Sequence, residues 1–365
     1  MVVSSKSFTI QGIAYLVFIL LPHGLFSQEN KEEALSGGKP IIQVFGNFEY
    51  NATSETSKAY SFWIGRAHLG YEYNFNKQFS GKIVLDVGRP TTIGNINVID
   101  KNGESMYVST NSKEGSYYTM TLKFASLQWH ASPFLTIQAG GILQNHYITQ
   151  EKFWGYRYLA ETFQDRYYKT PSSDLGIISY FKINEMLNFD LALTNGEGFR
   201  FDQDPYGDIK LAGGVDYYPS KKIQTRLYYD RIQSSAPQKK AVQQLISIFA
   251  GYKQTDKIRV GAEYNYKFNH LHIINHDLFG LSLFGSYQIK KDIEYFLRYD
   301  LVKSNPIKEQ QIGWNNTNTG KAIITGLHYS LLKNISLSLN YQYWNPDQFD
   351  LNNQHHILLS FEYKL

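Results

Sequence analysis

Apolar and polar residues alternate with period two along most of this chain. From Ile293, the series Ile293, Tyr295, Leu297, Tyr299 and Leu301 interleaves with Glu294, Arg298 and Asp300. From Ile258, the apolar set Ile258, Val260, Ala262, Tyr264, Tyr266 and Phe268 alternates with Arg259, Glu263, Asn265 and Lys267. Successive side chains of a strand point to opposite sheet faces, so each segment makes one apolar and one polar face. Comparable segments begin near Ile41, Ser61, Phe79, Tyr117, Phe134, Leu175, Leu187, Ile209, Ile223, Leu245, Leu278, Ala322, Ile335 and His355. The pattern predicts about sixteen strands, many as long as the ~9–11 residues that cross a bilayer at a tilt. Helical periodicity is nearly absent.

The connections alternate in length. Short polar turns fall at Asn76-Lys77-Gln78, Ala131-Ser132-Pro133, Asn184-Glu185-Met186, Pro219-Ser220-Lys221-Lys222, Thr255-Asp256, Lys290-Lys291-Asp292 and Lys333-Asn334. Between them lie longer connections, of which 89–115 and 148–173 are the longest. Short turns at one rim and long loops at the other predict an all-β fold, a transmembrane up-and-down antiparallel barrel. An even strand number would put both termini at the short-turn, periplasmic rim. The competing all-β architectures are a soluble sandwich or propeller. Their strands usually run only ~5–6 residues, and no blade repeat is visible.

The first residues predict export. Lys6 precedes an apolar stretch from Ile10 to Leu21 that only Gln11 and Gly12 interrupt; Pro22, Gly24 and the small Ser27 follow. These are the parts of a secretory signal peptide cleaved near Ser27. The expected organisation is therefore a signal peptide over 1–27, a polar periplasmic leader over 28–39, and a single barrel domain over 40–365. The 365-residue chain contains no cysteine, which fits a Gram-negative envelope better than a disulfide-stabilised module. It also excludes thiol catalysis and Cys-ligated metals. With 36 Lys+Arg against 32 Asp+Glu and no basic run, nucleic acid is not an expected partner. The 29 Tyr and 23 Phe find a reason in interfacial girdles, where a ring is apolar and its hydroxyl stays wet. Tyr71, Tyr73 and Phe75 close one predicted strand, Tyr341 and Tyr343 another.

Several segments carry a resemblance. They are Gly65-Arg66-Ala67-His68-Leu69-Gly70-Tyr71-Glu72-Tyr73, Gly81-Lys82-Ile83-Val84-Leu85-Asp86-Val87-Gly88, Lys152-Phe153-Trp154-Gly155-Tyr156-Arg157-Tyr158 with Thr162-Phe163-Gln164-Asp165, Ser172-Ser173-Asp174-Leu175-Gly176, and Leu193-Thr194-Asn195-Gly196-Glu197-Gly198. In these the chain resembles porin-like outer-membrane barrels of the Bacteroidota, within the wider group that includes phosphate-selective porins. The final face Ile357, Leu359, Phe361, Tyr363 and Leu365 is similar to the C-terminal strand by which such barrels are recognised, although those commonly end in Phe. The resemblance implies passive transport of small hydrophilic solutes or ions, with outer-membrane lipid around the barrel. It names no solute and leaves a homotrimer open.

Two sets of residues are candidates for the pore. The connection 148–173 is the third long one, the position from which trimeric porins fold a loop into the lumen. It carries Glu151, Lys152, Arg157, Glu161, Asp165, Arg166 and Lys169 among Phe153, Trp154, Tyr156, Tyr158 and Phe163. Charges facing across a narrow aqueous pore set ionic preference, because low-dielectric walls focus the field. On this reading Arg157 and Arg166 face solute while Trp154 and Tyr156 pack the loop against the wall; a surface lid is the equal alternative. Alternation places Arg66, His68, Lys82, Lys123, Lys210, Arg226, Arg259, Lys267 and Arg298 on the lumen face. Glu72, Asp86, Asp190, Asp216, Asp230, Glu263, Glu294 and Glu362 share it. Structural pairing is the default for each residue singly, and no dense arginine ladder argues for a dedicated anion channel.

No cofactor or metal is expected. His270, His272, His276 and His355-His356 lack a carboxylate at ligand spacing, and Asp202, Asp204, Gly207 and Asp208 lack the closing bidentate Glu of a calcium loop. Catalysis lacks support as well: no G-x-S-x-G elbow occurs, and His146 with Asp165 at a rim has no characteristic spacing. The expected function is an outer-membrane porin. A non-conducting barrel acting as scaffold or secretion-complex subunit is the alternative, and a barrel hydrolase a second.

Overall fold

The computed structural model describes residues 37–53, 59–88, 96–99, 105–108, 119–201, 203–236, 241–255, 257–306 and 312–365. The expected signal peptide, the leader up to residue 36, most of the 89–115 connection, Asp202 and Asp256 lie outside the described residues.

The chain begins with β1 (Gly37–Asn51), β2 (Tyr60–Asn74) and β3 (Phe79–Gly88). A separate two-stranded sheet follows, β4 (Ile96–Ile99) with β5 (Ser105–Val108). Next come β6 (Thr119–Ser132), β7 (Leu135–Leu143), and two short helices, α1 (Ile148–Trp154) and α2 (Phe163–Tyr168). Then follow β8 (Ser173–Lys182), β9 (Leu187–Thr194), β10 (Lys210–Ser220), β11 (Ile223–Ile232), β12 (Gln243–Gln254) and β13 (Ile258–Phe268). The last are β14 (Leu278–Lys290), β15 (Ile293–Ser304), β16 (Gly320–Leu332), β17 (Ile335–Pro346) and β18 (Gln354–Lys364). Apart from β4 and β5, these strands close into one sixteen-stranded antiparallel barrel, each paired with its neighbours along the chain.

Closure is made by β1 and β18. Their register runs from Gln43 opposite Lys364 to Asn51 opposite His356, and the Leu365 amide donates to the Ile42 carbonyl at 3.0 Å. A closed sheet leaves no row of unpaired amides, which lipid could not solvate. Alternation then sorts the side chains: along β11, Arg226, Tyr228, Asp230 and Ile232 are buried inward while Leu227 and Tyr229 are exposed outward. The final apolar series does the same, with Ile357, Leu359, Tyr363 and Leu365 on the outer face. The register shifts at several points of the ladder, one of them between β3 and β6. There Val84 pairs Phe124 and Leu85 pairs Leu122, so Lys123 is skipped and turned inward beside Phe124.

Three features depart from the sequence reading. The first strand starts at Gly37, within the segment expected as leader. The 89–115 connection carries the β4–β5 pair. The 148–173 connection holds two helices, seven and six residues long; elements of two turns or less show too few periods to stand out from a sequence pattern. The aromatics also divide differently. Many stand outward near strand ends, but a second share fills the bore. One cluster joins Phe45, Phe153, Trp154, Tyr156, Tyr158, Phe249, Phe284 and Phe296; another joins Phe163, Tyr168, Tyr228 and Leu245.

A closed barrel of this size resists SDS until heated. Unboiled, detergent-folded protein should migrate faster on a gel than boiled protein. Identical mobility, in a sample soluble without detergent, would contradict the fold.

Candidate functional site

The connection after β7 turns into the barrel and crosses it. Its entry is fixed by Gln144, whose side-chain amide donates to Asp174 and Thr194, both at 3.2 Å, and accepts from Lys210 Nζ at 2.7 Å. Asp174, at the foot of β8, also accepts from the Gly196 and Gly198 amides at 2.7 and 3.3 Å. The α1 helix ends at Gly155, whose φ of 77° favours glycine. A Cβ there would meet Arg259 Nη1 at 2.7 Å, so glycine both turns the chain and lets that guanidinium pass.

Aromatic anchors hold the loop against the far wall. Phe163, fully buried, lies directly over Gly280 of β14, where any Cβ would overlap the ring. Phe153 does the same over Gly251 of β12, with a Cβ position 2.6 Å away, and packs edge-on against Phe249. Trp154 meets Phe284 at 5.3 Å between centroids and carries the Arg298 guanidinium 5.5 Å above its ring. Burying each large side chain is worth about 1.5–3 kcal/mol and offsets part of the entropy lost in ordering the loop.

Polar contacts then spread the attachment across the wall. Thr149 Oγ1 donates to Asp216 at 2.6 Å and Gln164 Nε2 to Asn265 Oδ1 at 2.8 Å. The Tyr167 hydroxyl donates to Asp300 at 2.9 Å, and the Tyr156 hydroxyl bonds Glu294. The Tyr158 hydroxyl meets His328 Nδ1 at 2.7 Å, and Arg298 Nη1 donates to the Glu161 carbonyl at 2.7 Å. The loop therefore leans on β10, β13, β15 and β16, and the surface-lid alternative does not describe it.

The charges of the loop are not one group. Lys152 points towards the short-turn rim, where it lines a cavity of about 540 Å³ with Arg259, Lys221 and Lys222. Arg157 is ringed by the loop's own acids, Glu151 at 3.1 Å, Asp165 at 2.9 Å and Glu161 at 3.4 Å. Arg166 stacks on Tyr167 and lines a cavity of about 340 Å³ beside β1, β2, β17 and β18. Lys169 lines another of about 290 Å³, with Asp86, Lys123 and Arg200. Arg66 and Glu161 line both of these cavities.

The wall residues divide as well. Arg66 forms no ion pair with a described residue; its guanidinium sits 5.4 Å above the Phe45 ring. Lys123 and His68 flank Asp86 at 3.6 and 3.4 Å. Lys82 lies over Phe124 at 5.3 Å, and Arg259 pairs Glu294 at 3.6 Å. Arg226, Glu263 and Arg298 face inward too, but the loop and its neighbours seal them. Arg226 bridges Asp190 and Asp216 at 2.8 and 2.7 Å, Glu263 accepts from Asn265 at 2.9 Å, and Arg298 holds Asp300 at 2.8 Å. All three are buried, at 2% exposure, where wall and loop meet.

Inside the loop, Asp165 stands out. Burial pushes its carboxyl up, the neighbouring Glu161 charge adds to this, and Arg157 offsets part, leaving it at about 6. Glu161 moves the other way: burial raises it, but Arg157 and Arg66 outweigh that and hold it lower.

Residues weighed for other chemistry are engaged elsewhere. His146 is wholly buried, its ring against Tyr147 and Tyr228, so no substrate reaches it. His276 stacks on Trp314, His272 Nδ1 meets the Ala241 carbonyl, and the Asp208 carboxylate accepts from Ser235. Among the described residues no group of three or more metal-ligating side chains converges. Sequence reasoning missed Gly251 and Gly280 as ring seats and Asp174 as the loop's anchor. Asp174 appeared only within a family-like segment, and a glycine in a strand signals close approach without naming what approaches.

Comparison with known proteins agrees with this architecture. A family model described as "Putative beta-barrel porin-2, OmpL-like" matches residues 166–363. No curated protein sequence matches the chain. Among solved structures it is similar to the outer-membrane channel DcaP of Acinetobacter baumannii, with TM-score 0.62 and 14% identity over 93% of this chain and 100% of that one. It is also similar to OprB of Pseudomonas putida, with TM-score 0.66 and 11% identity over 90% and 94%. An anion-selective porin from Comamonas acidovorans gives TM-score 0.65 and 11% identity over 90% and 100%. At such identities the likeness is one of fold.

Two outcomes follow from this geometry. Gly280→Leu should evict Phe163 and loosen the loop by about 2 kcal/mol. Trypsin should then cut at Lys152, Arg157, Arg166 or Lys169 while the barrel keeps its heat-dependent mobility; a loop as resistant as the parent's would refute the anchoring. Asp165 is deprotonated above about 6 and neutral below it. Lowering pH from 7 to 5 therefore removes one negative charge from the lining of the smaller cavity, and if the barrel conducts its ion preference should move towards anions with a midpoint near 6. Reversal potentials across a salt gradient measure this, and Asp165→Asn should abolish the step.

Proposed function

This chain belongs to the beta-barrel porin-2, OmpL-like family, and we propose that it is a passive outer-membrane pore for small hydrophilic solutes and ions. The observation that carries the reading is the loop's position. Folded onto the β10–β17 side, it leaves polar space against β1, β2, β3 and β6, where Arg66 and Glu161 line cavities on both sides. A constriction of this kind needs no energy source; the solute gradient drives transport.

The passage carries both signs of charge. Arg66, Lys123, Arg166, Lys169 and Arg200 stand among Asp86, Glu161 and Asp165. Such a lining solvates ions of either sign and sorts by size and net charge before identity. The same reading takes residues 1–27 as a cleaved signal peptide, the residues from 28 up to the start of β1 as a periplasmic leader, and the short-turn rim, with both termini, as periplasmic. It also takes the chain to come from a Gram-negative bacterium of the Bacteroidota, and leaves a homotrimer open.

A non-conducting scaffold is the second reading, favoured by how completely the loop and its aromatic anchors fill one side of the bore. Proteoliposome swelling separates the two. Vesicles containing the folded chain should swell in an isosmotic small sugar, at a rate that falls as the sugar grows. Folded, inserted protein that gives no swelling with any sugar would favour the scaffold.

A further inference from the structure

The outer wall is not uniform. On β11 to β15 it is hollowed into a shallow groove of about 980 Å³, lined almost wholly by apolar surface. The recess exists because small residues meet there: Ala250 and Ala262 are register partners on adjacent strands, and Gly285 stands nearby on β14. Exposed Leu283, Leu297 and the tyrosines form its banks. Towards the short-turn rim the groove ends at Ile258, Tyr252, Tyr287 and Tyr295; Ile258 pairs with Tyr287, and Tyr287 with Tyr295.

That end of the groove is where the basic turns lie. Lys257 immediately precedes Ile258, and Lys290-Lys291 connect the strand of Tyr287 to that of Tyr295. Backbone and side-chain bonds gather the two turns: the Gln288 amide donates to the Lys257 carbonyl at 2.8 Å, and Gln288 Nε2 to the Lys291 carbonyl at 3.0 Å. Lys257, Lys290 and Lys291 are exposed and form no ion pair with a described residue. The neighbouring turn adds Lys221 and Lys222. The short turns that do not border the groove, at Asn76-Lys77-Gln78, Asn184-Glu185-Met186 and Lys333-Asn334, show no such concentration.

An apolar recess that runs up to tyrosine hydroxyls and then to three free ammonium groups matches one ligand chemistry. We propose that this groove is a binding site for a phospholipid with an anionic headgroup. Its acyl chains lie over Ala250, Ala262 and Gly285, and its phosphate and headgroup meet Lys257, Lys290 and Lys291. Lipid elsewhere on a smooth wall exchanges without regard to headgroup; here shape and charge select together. A second copy of the chain is the weaker occupant, because the short turns offer those lysines only Glu185, Asp256 and Asp292 as acids. The proposal is independent of conduction and holds equally for a barrel that does not conduct.

Native mass spectrometry of the full-length folded protein, in detergent with equal amounts of phosphatidylglycerol and phosphatidylcholine, tests it. The intact chain should retain phosphatidylglycerol preferentially. Lys257→Gln with Lys290→Gln and Lys291→Gln should cut that preference about tenfold or more, since each lysine near a headgroup contributes on the order of a fewfold. Ala262→Phe, which fills the groove with a residue the lipid face tolerates, should weaken retention of both lipids; Ala250→Phe serves if the first variant does not fold. Equal retention of the two lipids, or a triple variant that keeps its preference, overturns the site. So does an Ala262→Phe variant whose oligomeric mass changes while its lipid retention does not, since the groove would then be an interface between copies.

Discussion

Everything in this molecule depends on the fact that lipid offers a backbone amide no hydrogen bond. An all-β chain can cross a membrane only if its first strand pairs with its last, and here β1 and β18 do so over their shared length, down to the final amide. Closure forces each strand to have one face in lipid and one in the bore, and the period-two pattern follows directly. It also turns the enclosed volume into the question of function, because whatever occupies that volume decides what passes.

What occupies it is a loop whose own composition could not hold it there. Its aromatic side chains need somewhere to go, and the wall supplies seats where side chains are missing, at Gly251 and Gly280. Its polar groups need partners, and the wall supplies Asp216, Asn265, Glu294, Asp300 and His328. Some buried wall charges are paired by other wall residues and not by the loop. Arg226 between two aspartates is an example: either partner left alone would be a severe cost in a low-dielectric setting. Wall and loop are thus complementary in shape and in hydrogen bonding on one side, while on the other they leave cavities lined in part by charged residues.

How far the sequence disclosed this depends on whether a feature is local. Strand positions are local: starts read at Phe79, Leu187, Ile223, Ile258, Leu278, Ile293 and Ile335 coincide with the observed ones, because a turn residue and a change of pattern sit together there. Sixteen strands and closure follow. The charged loop was visible as a candidate too, yet its seven charges could not be sorted by sequence. Lys152 and Arg157 are five positions apart, and α1 with Gly155 sends them to different ends of the bore. Arg226, Glu263 and Arg298 alternate correctly onto the inner face, but only the folded loop reveals that they are sealed beneath it. Pairings such as Phe163 with Gly280 join residues more than a hundred positions apart, and no spacing rule reaches that far.

On the proposed function, this loop narrows a conducting bore and does not stopper it. Single-channel recording in planar bilayers can compare the intact chain with one in which residues 151–169 are replaced by a short Gly-Ser linker. Discrete conductance steps are expected from the intact protein and larger steps from the loop-replaced one, both from barrels that remain heat-modifiable. Folded, inserted protein that never conducts until the loop is removed, or two chains with the same conductance, would contradict it.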